Sequence, residues 1–185
     1  RKKFPNYDIT LEYMNTSTIA AKVLEEKDNC TADILLSEEY GYLDKCKDYL
    51  TVLNDFDFSV FLDNIIPENH KIAPEYKNGG CIILNRDVLN KKNLPVPNSY
   101  NDLLNPVYEG LISMPSPATS GTGYMFLKCL VNTWGENEAF EYFAKLAENI
   151  LSFTSSGSGP VNALVQGEVA IGLGMTGQAV IEIGR

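Results

Sequence analysis

The spacing of apolar residues predicts strands and helices that alternate along the first part of the chain. Residues 9–13 alternate between apolar and polar side chains as a strand does, and residues 20–24 then carry apolar side chains at helical spacing. Residues 32–36 form a short apolar run that predicts a buried strand, and residues 40–50 repeat the helical pattern. This order predicts an α/β fold, with a parallel sheet flanked by helices.

The second part of the chain continues the same alternation with more strongly apolar segments. Residues 51–79 and 94–106 are interrupted by Pro, Gly and Asn, which predicts irregular surface structure and a boundary between two lobes near residues 85–108. Gly167 is suited to the end of a helix. The predicted strands are 81–85, 110–114 and 169–173, and the predicted helical segments are 101–104, 126–134, 139–150 and 161–165.

Two turns rich in small and hydroxyl side chains precede predicted helices. Such turns predict anion sites, because the first backbone N–H groups of a helix have no partner within the helix and hydroxyl groups add further donors. The second turn ends in Pro160, which suits a first helical position. The candidate ligand-binding residues of the two turns are Thr119, Ser120, Gly121 and Thr122, and Ser156, Gly157 and Ser158.

Composition and charge narrow the function classes. The 185 residues are 44% apolar, enough for a folded core, and carry a net charge of −9, which argues against a nucleic-acid-binding surface. An acidic chain can still bind a small anion, because amides and hydroxyls act at short range while distant charges are screened. Residues 1–5 lack the apolar segment of a secretory signal, and no segment is long enough to span a bilayer.

The residues that usually carry catalysis or bind metals occur in no recognisable arrangement. The four cysteines form no C-x-x-C pair, and only Cys30 and Cys46 are close enough in sequence to leave a local disulfide open. His70 is the only histidine and lies in an irregular polar segment without a nucleophile motif. The turn at Ser120 lacks the lysine of a nucleotide-binding loop. We therefore expect a protein that is not an enzyme and that holds no metal and no cofactor.

The order of these motifs resembles the extracellular solute-binding proteins of ABC importers, in the group with ferric-iron, phosphonate and hexose-phosphate receptors. The resemblance implies a periplasmic-binding-protein-like fold of two α/β lobes, each with a mostly parallel sheet, which close on a ligand in a cleft. On this basis residues 1–107 are expected to form part of lobe 1 and the hinge crossing, and residues 108–185 most of lobe 2. The segments that carry the resemblance are Phe4-Pro5, 15–17, 20–23, 32–35, 100–104, 108–110, 117–124 and 167–172.

Two departures from the family pattern bear on function. The chain is expected to be incomplete at both termini, since it lacks the opening strand and helix of the family and its closing segment. Ferric receptors of the family carry two adjacent tyrosines after the strand that ends near Gly172, where this chain has Gly174-Met175-Thr176-Gly177-Gln178. Phenolates suit a hard ferric ion, so their absence favours an organic anion with a phosphoryl or phosphonate group.

The resemblance also indicates further residues that line the cleft and the partners of the whole protein. The partners implied are a small anionic ligand and the membrane subunits of an ABC permease, with no nucleic acid, and association of the chain with another copy stays open. The location implied is periplasmic or extracellular, with lipid anchoring as a further expectation. A ferric receptor of the same family and the effector domain of a transcription regulator are the alternatives. The cleft residues implied are Asn15, Thr16, Ser17, Ser37, Glu38 and Thr176.

Overall fold

The computed structural model describes residues 3–183, which contain seven α-helices and four β-strands. The strands are β1 (Gly80–Leu84), β2 (Ile112–Pro115), β3 (Ile150–Thr154) and β4 (Ile171–Met175). The helices are α1 (Thr16–Glu26), α2 (Tyr40–Lys45), α3 (Arg86–Lys91), α4 (Gly121–Trp134), α5 (Glu136–Leu146), α6 (Gly159–Val165) and α7 (Thr176–Ile183). None of the helices in this part of the chain is both long enough and apolar enough to cross a membrane.

The four strands form one mixed sheet in the order β1-β4-β2-β3. β2 runs parallel to both β3 and β4, whereas β1 pairs with β4 in the antiparallel sense. Helices connect the parallel strands, as parallel pairing requires. The expected α/β class with a mostly parallel sheet is therefore confirmed for the part of the chain that follows residue 79.

The core of this part lies between the sheet and helices α4 and α5. β2 is buried along its length, and Ile171 and Leu173 of β4 are fully buried beside it. The apolar stripe of α4 packs on this face through Phe126 and Leu130. Leu89 of α3 and the segment before β2 enter the same core, so residues 80–107 pack with the later residues of the chain. The apolar faces of these helices are thus buried against the sheet, as the helical spacing of apolar residues predicts.

The strands predicted at residues 9–13 and 32–36 are wrong, because both segments lie outside regular structure. Leu11 and Tyr13 are 84% and 85% exposed, and Ile34 is 80% exposed. An alternating pattern forms a strand only where a neighbouring strand supplies hydrogen bonds and a surface to cover. Neither segment has a strand beside it among the described residues. In the first part of the chain, α1 and α2 instead form a small apolar cluster with Tyr124 of α4 packed against it.

Three regular elements differ from the sequence prediction in the second part of the chain. The helix predicted over 139–150 ends at Leu146, and Ile150 begins β3, a strand that the helical spacing concealed. Helices α3 and α7 were not predicted. The predicted turn of helix at 101–104 is a 3-10 helix, and Gly167 has the positive φ of +74° expected of a helix end.

Candidate functional site

The first hydroxyl-rich turn connects the end of β2 to the start of α4, at an edge of the sheet. Ser120 is the N-terminal capping residue of α4, but its side chain makes no capping hydrogen bond. The backbone amides of Thr122 and Gly123 have no hydrogen-bond partner among the described residues. These two amides point out of the positive end of a 14-residue helix. This helix start therefore offers two free donors to an anion.

The hydroxyl groups around these amides also lack partners. Ser120 is only 4% exposed, and no hydrogen bond involves its Oγ among the described residues. The Oγ1 of Thr119 is buried without a hydrogen-bond partner. Buried polar atoms are nearly always paired, since an unpaired one costs about 1–3 kcal/mol. The hydroxyls of Thr119 and Ser120 are therefore donors that no group in the described part of the chain uses.

The N-terminus of α1 lies directly against this turn. The Gly121 amide donates to Oγ1 of Thr16 at 3.0 Å, and the Ser17 hydroxyl donates to the Thr119 carbonyl at 3.2 Å. Asn15 is the N-terminal capping residue of α1, and its side chain makes no capping hydrogen bond. The structure thus brings residues 15–17 and 119–122 together although more than 100 positions separate them.

The second hydroxyl-rich turn packs against the first. A Cβ on Gly157 would lie 3.1 Å from Cβ of Thr122 and 3.5 Å from Oγ of Ser120, so the loop reaches the turn through a residue without a side chain. The hydroxyls of Ser156 and Ser158 lie 3.3 Å apart at the end of the same loop. Three of the predicted segments, 15–17, 119–122 and 156–158, therefore surround one position, which we call the anion seat.

Gln178 connects the sheet to the anion seat, a role that the sequence did not reveal. Its Oε1 accepts a hydrogen bond from the Met175 amide at 2.9 Å, and its Nε2 donates to the Gly157 carbonyl at 3.2 Å. In the sequence it lies in the segment 174–178, where ferric receptors carry tyrosines. In the structure it holds the second turn in place from the end of β4.

Two of the predicted cleft residues, Ser37 and Thr176, use their hydroxyls in hydrogen bonds outside the anion seat. The Ser37 hydroxyl donates to Oε2 of Glu75 at 2.7 Å in an exposed position. The Thr176 hydroxyl donates to Oδ1 of Asn78 at 2.6 Å and accepts from the Gly79 amide at 3.3 Å. Thr176 therefore fixes the segment that enters β1, and its hydroxyl is already engaged on both sides.

Two neighbouring carboxylates, Glu38 and Glu39, directly precede α2, and one of them touches the anion seat. Glu39 caps α2 by accepting from the Tyr42 amide at 3.3 Å, and its Cβ would lie 2.8 Å from a Cβ placed on Gly121. Burial, followed by repulsion from Glu39, raises the pKa of Glu38 from 4.5 to about 7. The sequence pointed to Glu38, but Glu39 is the one whose side chain touches the seat.

The raised pKa of Glu38 predicts that stability falls as pH rises. Between about pH 4.5 and 7 the folded state keeps a proton that the unfolded state has released, so the free energy of unfolding decreases across this window. Glu38→Gln should remove that decrease and make the full-length protein more stable than wild type at pH 8, but not at pH 4. Urea unfolding at several pH values measures this, with Glu68→Gln at an exposed carboxylate as the control. Parallel profiles for wild type and Glu38→Gln would contradict the prediction.

Among the side chains that the structure describes, no group of three or more His, Cys, Asp or Glu residues is arranged to hold a metal ion. At the contact of α2 and α4, the ring centres of Tyr42 and Tyr124 lie 5.4 Å apart. The ammonium of Lys45 lies over both rings, 4.7 and 5.0 Å from their centres. A positive charge already occupies the faces of these rings.

Comparisons with known proteins give one matching family model and several relatives. The family model described as bacterial extracellular solute-binding protein matches residues 35–182. An uncharacterized protein of Haemophilus influenzae is 26% identical over 185 residues, which cover 95% of this chain and 54% of the relative. The chain thus spans about half the length of this curated relative.

Solved structures share the fold. The periplasmic binding protein AfuA from Actinobacillus pleuropneumoniae, with fructose-6-phosphate bound, matches with a TM-score of 0.81 at 23% identity, over 99% of this chain and 60% of that chain. Iron-bound HitA from Pseudomonas aeruginosa matches with a TM-score of 0.78 at 19% identity, over 95% of this chain and 56% of that chain. At these identities the likeness shows the fold alone.

Proposed function

Because the chain belongs to the bacterial extracellular solute-binding protein family, we propose that the whole protein is the substrate-binding component of an ABC importer. It captures a small organic anion with a phosphoryl or phosphonate group in a cleft between two lobes and delivers it to a membrane permease. The ligand's contacts with both lobes shift the population from open to closed. Family membership supports a binding role and an extracellular location, and argues against a cytoplasmic regulator.

The anion seat is the observation that carries the choice of ligand. Two free amides and three hydroxyls without partners, those of Thr119, Ser120 and Thr122, converge at the start of α4. Hydrogen bonds from such donors to a charged oxygen contribute about 1.5–3 kcal/mol each, more than bonds between neutral groups. The oxygens of a phosphoryl group match this donor set without any metal.

A ferric receptor is the second candidate, because HitA shares the fold and holds iron. Tyr42 and Tyr124 are the tyrosines paired next to the seat, but Lys45 covers both rings with a positive charge. That charge repels a ferric ion and attracts an anion. The placement of Lys45 therefore favours the organic anion.

The division between lobes stays a prediction. The sequence placed it at residue 107, within a boundary region near 85–108. Since β1 and α3 share the sheet and core of the later residues, we propose that the chain crosses between the lobes just before Gly80. Residues 15–17 and 119–122, which are joined by hydrogen bonds, then belong to different lobes.

A ligand panel tests the proposed function directly. Thermal unfolding of the full-length protein is measured with 2-aminoethylphosphonate, hexose phosphates, inorganic phosphate and ferric salt. A ligand at about 100 times its dissociation constant adds roughly 2.7 kcal/mol of stability. A rise with one phosphorylated compound supports the proposal. A rise with ferric salt alone favours the second candidate, and a flat panel contradicts both.

Removing the hydroxyls of the seat should weaken binding without weakening the fold. In Ser120→Ala/Thr122→Val, we expect about tenfold lower affinity for the phosphorylated ligand, or about 1.4 kcal/mol, by titration calorimetry. Stability without ligand should change little, because the Ser120 hydroxyl makes no hydrogen bond within the part of the chain that the structure describes. Thr133→Val, on the exposed last turn of the same helix, is the matched control. Equal affinity in both variants would remove this turn from the site.

A further inference from the structure

Two of the four cysteines, Cys30 and Cys46, belong to the small apolar cluster formed by α1 and α2 or pack against it. Cys46 directly follows α2 and is 1% exposed within this cluster. Cys30 follows the 3-10 turn at residues 27–29 that continues α1, and it packs against the same cluster. The packing of the two helices thus brings the segments that leave them to one place.

The shared cluster is the observation that places the two cysteines near each other. The Cys46 thiol is buried there and donates to the Ala20 carbonyl at 3.6 Å. Burial raises the pKa of Cys46, repulsion from Glu38 adds to the rise, Lys45 opposes it, and Cys30 makes the smallest contribution to the rise. The other two cysteines lie elsewhere: Cys81 is in β1 and Cys129 is exposed on α4.

We propose that Cys30 and Cys46, which are free thiols in this structure, form a disulfide bond in the mature protein outside the cell. The proposal rests on the extracellular location, where disulfides form and persist. Two S–H bonds break and one S–S bond forms. The two protons and the two electrons pass to a thiol–disulfide oxidant, whose S–S bond breaks to give two thiols.

The chain that follows Cys30 is irregular, which bears on whether the two cysteines can approach each other. A disulfide needs the two Cα atoms within about 4.4–6.8 Å of each other. Residues 31–39, between Cys30 and the start of α2, contain no helix or strand. A shift of Cys30 toward Cys46 therefore disturbs no helix or strand on that side.

The bond would restrict the part of the first lobe that flanks the anion seat. The segment that it closes, residues 31–45, carries Glu38 and Glu39. Glu39 is in contact with the start of α4. The disulfide reduces the number of conformations available to the unfolded chain. The bridged protein should therefore melt a few degrees higher than the reduced protein.

The test uses the full-length protein equilibrated with oxidised and reduced glutathione, then alkylated and cut after glutamate. The expected product is a linked pair of peptides 27–38 and 40–68, detected by mass spectrometry and lost on reduction. Cys30→Ser and Cys46→Ser should each abolish it, whereas Cys81→Ser/Cys129→Ser should retain it. The bridged wild type should also melt higher than Cys46→Ser, and Cys30→Ser should melt as the reduced wild type does.

Alkylation of both Cys30 and Cys46 at an oxidising glutathione ratio, or a link from either of them to another cysteine, would overturn the proposal. The outcome is independent of ligand. A linked pair in a protein that binds no phosphorylated compound refutes the proposed ligand and leaves the disulfide intact, and the reverse result refutes the disulfide alone.

Discussion

Gly123→Ala is expected to destabilise the protein by about 3 kcal/mol. The added methyl group would overpack against backbone atoms that cannot move aside. A Cβ at this position would lie 2.6 Å from the carbonyl carbon and oxygen of Ser116, and it would meet the Pro115 carbonyl oxygen as well. These are backbone atoms at the end of β2. The higher helix propensity of alanine returns only about 1 kcal/mol, so the clash decides the sign.

The same substitution should weaken ligand binding, because relief of the clash moves the start of α4 away from β2 and with it the free amides of the seat. Urea unfolding of the full-length protein measures the stability change, and calorimetry the affinity. Gly79→Ala is the matched control, since the nearest atom to its added Cβ is Cγ2 of Thr176 at 3.9 Å. A loss below about 1 kcal/mol for Gly123→Ala would show that α4 is not packed against β2 as described.

Asn149→Ala is expected to cost about 3 kcal/mol through lost hydrogen bonds. Asn149 is 3% exposed, and its Nδ2 donates to the carbonyls of Leu103 at 2.8 Å and Asn105 at 2.9 Å. Alanine leaves the Leu103 carbonyl unpaired where water has little access, at about 1–3 kcal/mol. It also removes one of the two hydrogen bonds to the Asn105 carbonyl, which keeps only the bond from the Tyr108 amide at 3.1 Å. This side chain joins the segment before β2 to the turn before β3.

Asn98→Ala is the control for this effect, because its amide donates to the Val96 carbonyl in an exposed position where water replaces it. Its stability change should stay within about 0.5 kcal/mol. Both variants are compared by urea unfolding of the full-length protein. Similar losses in the two variants would indicate that the Asn149 amide is replaced by water and contributes little.

The spacing of apolar residues correctly predicted the strands that are fully buried and the helices that pack on them. β2, β4 and the stripes of α4 and α5 are of this kind, and they are confirmed. Residues 9–13 show the opposite case, since their alternation is genuine but no strand lies beside them. A strand needs hydrogen bonds from elsewhere, whereas a helix makes its own.

The candidate site was predictable in its chemistry but not in its assembly. Small residues, hydroxyls and a following helix are visible in the sequence near Ser120, and they predict free donors. The contact of Gly157 with Thr122 and the bridge made by Gln178 are not visible, because they depend on how distant segments pack. Ser37 and Thr176 show the converse, since their hydroxyls find partners that the sequence could not indicate.

The hydrogen bond between Thr16 and Gly121 also has a consequence for the order of folding. It joins residues 105 positions apart, whereas the sheet and helices that support α4 are built from residues 80–175. Closing so long a loop is slow, because chain entropy is lost before the contact repays it. We therefore expect the start of α4 to form before residues 15–17 dock on it. If this helix start binds an anion as proposed, the ligand should favour that docking and speed the last step of folding.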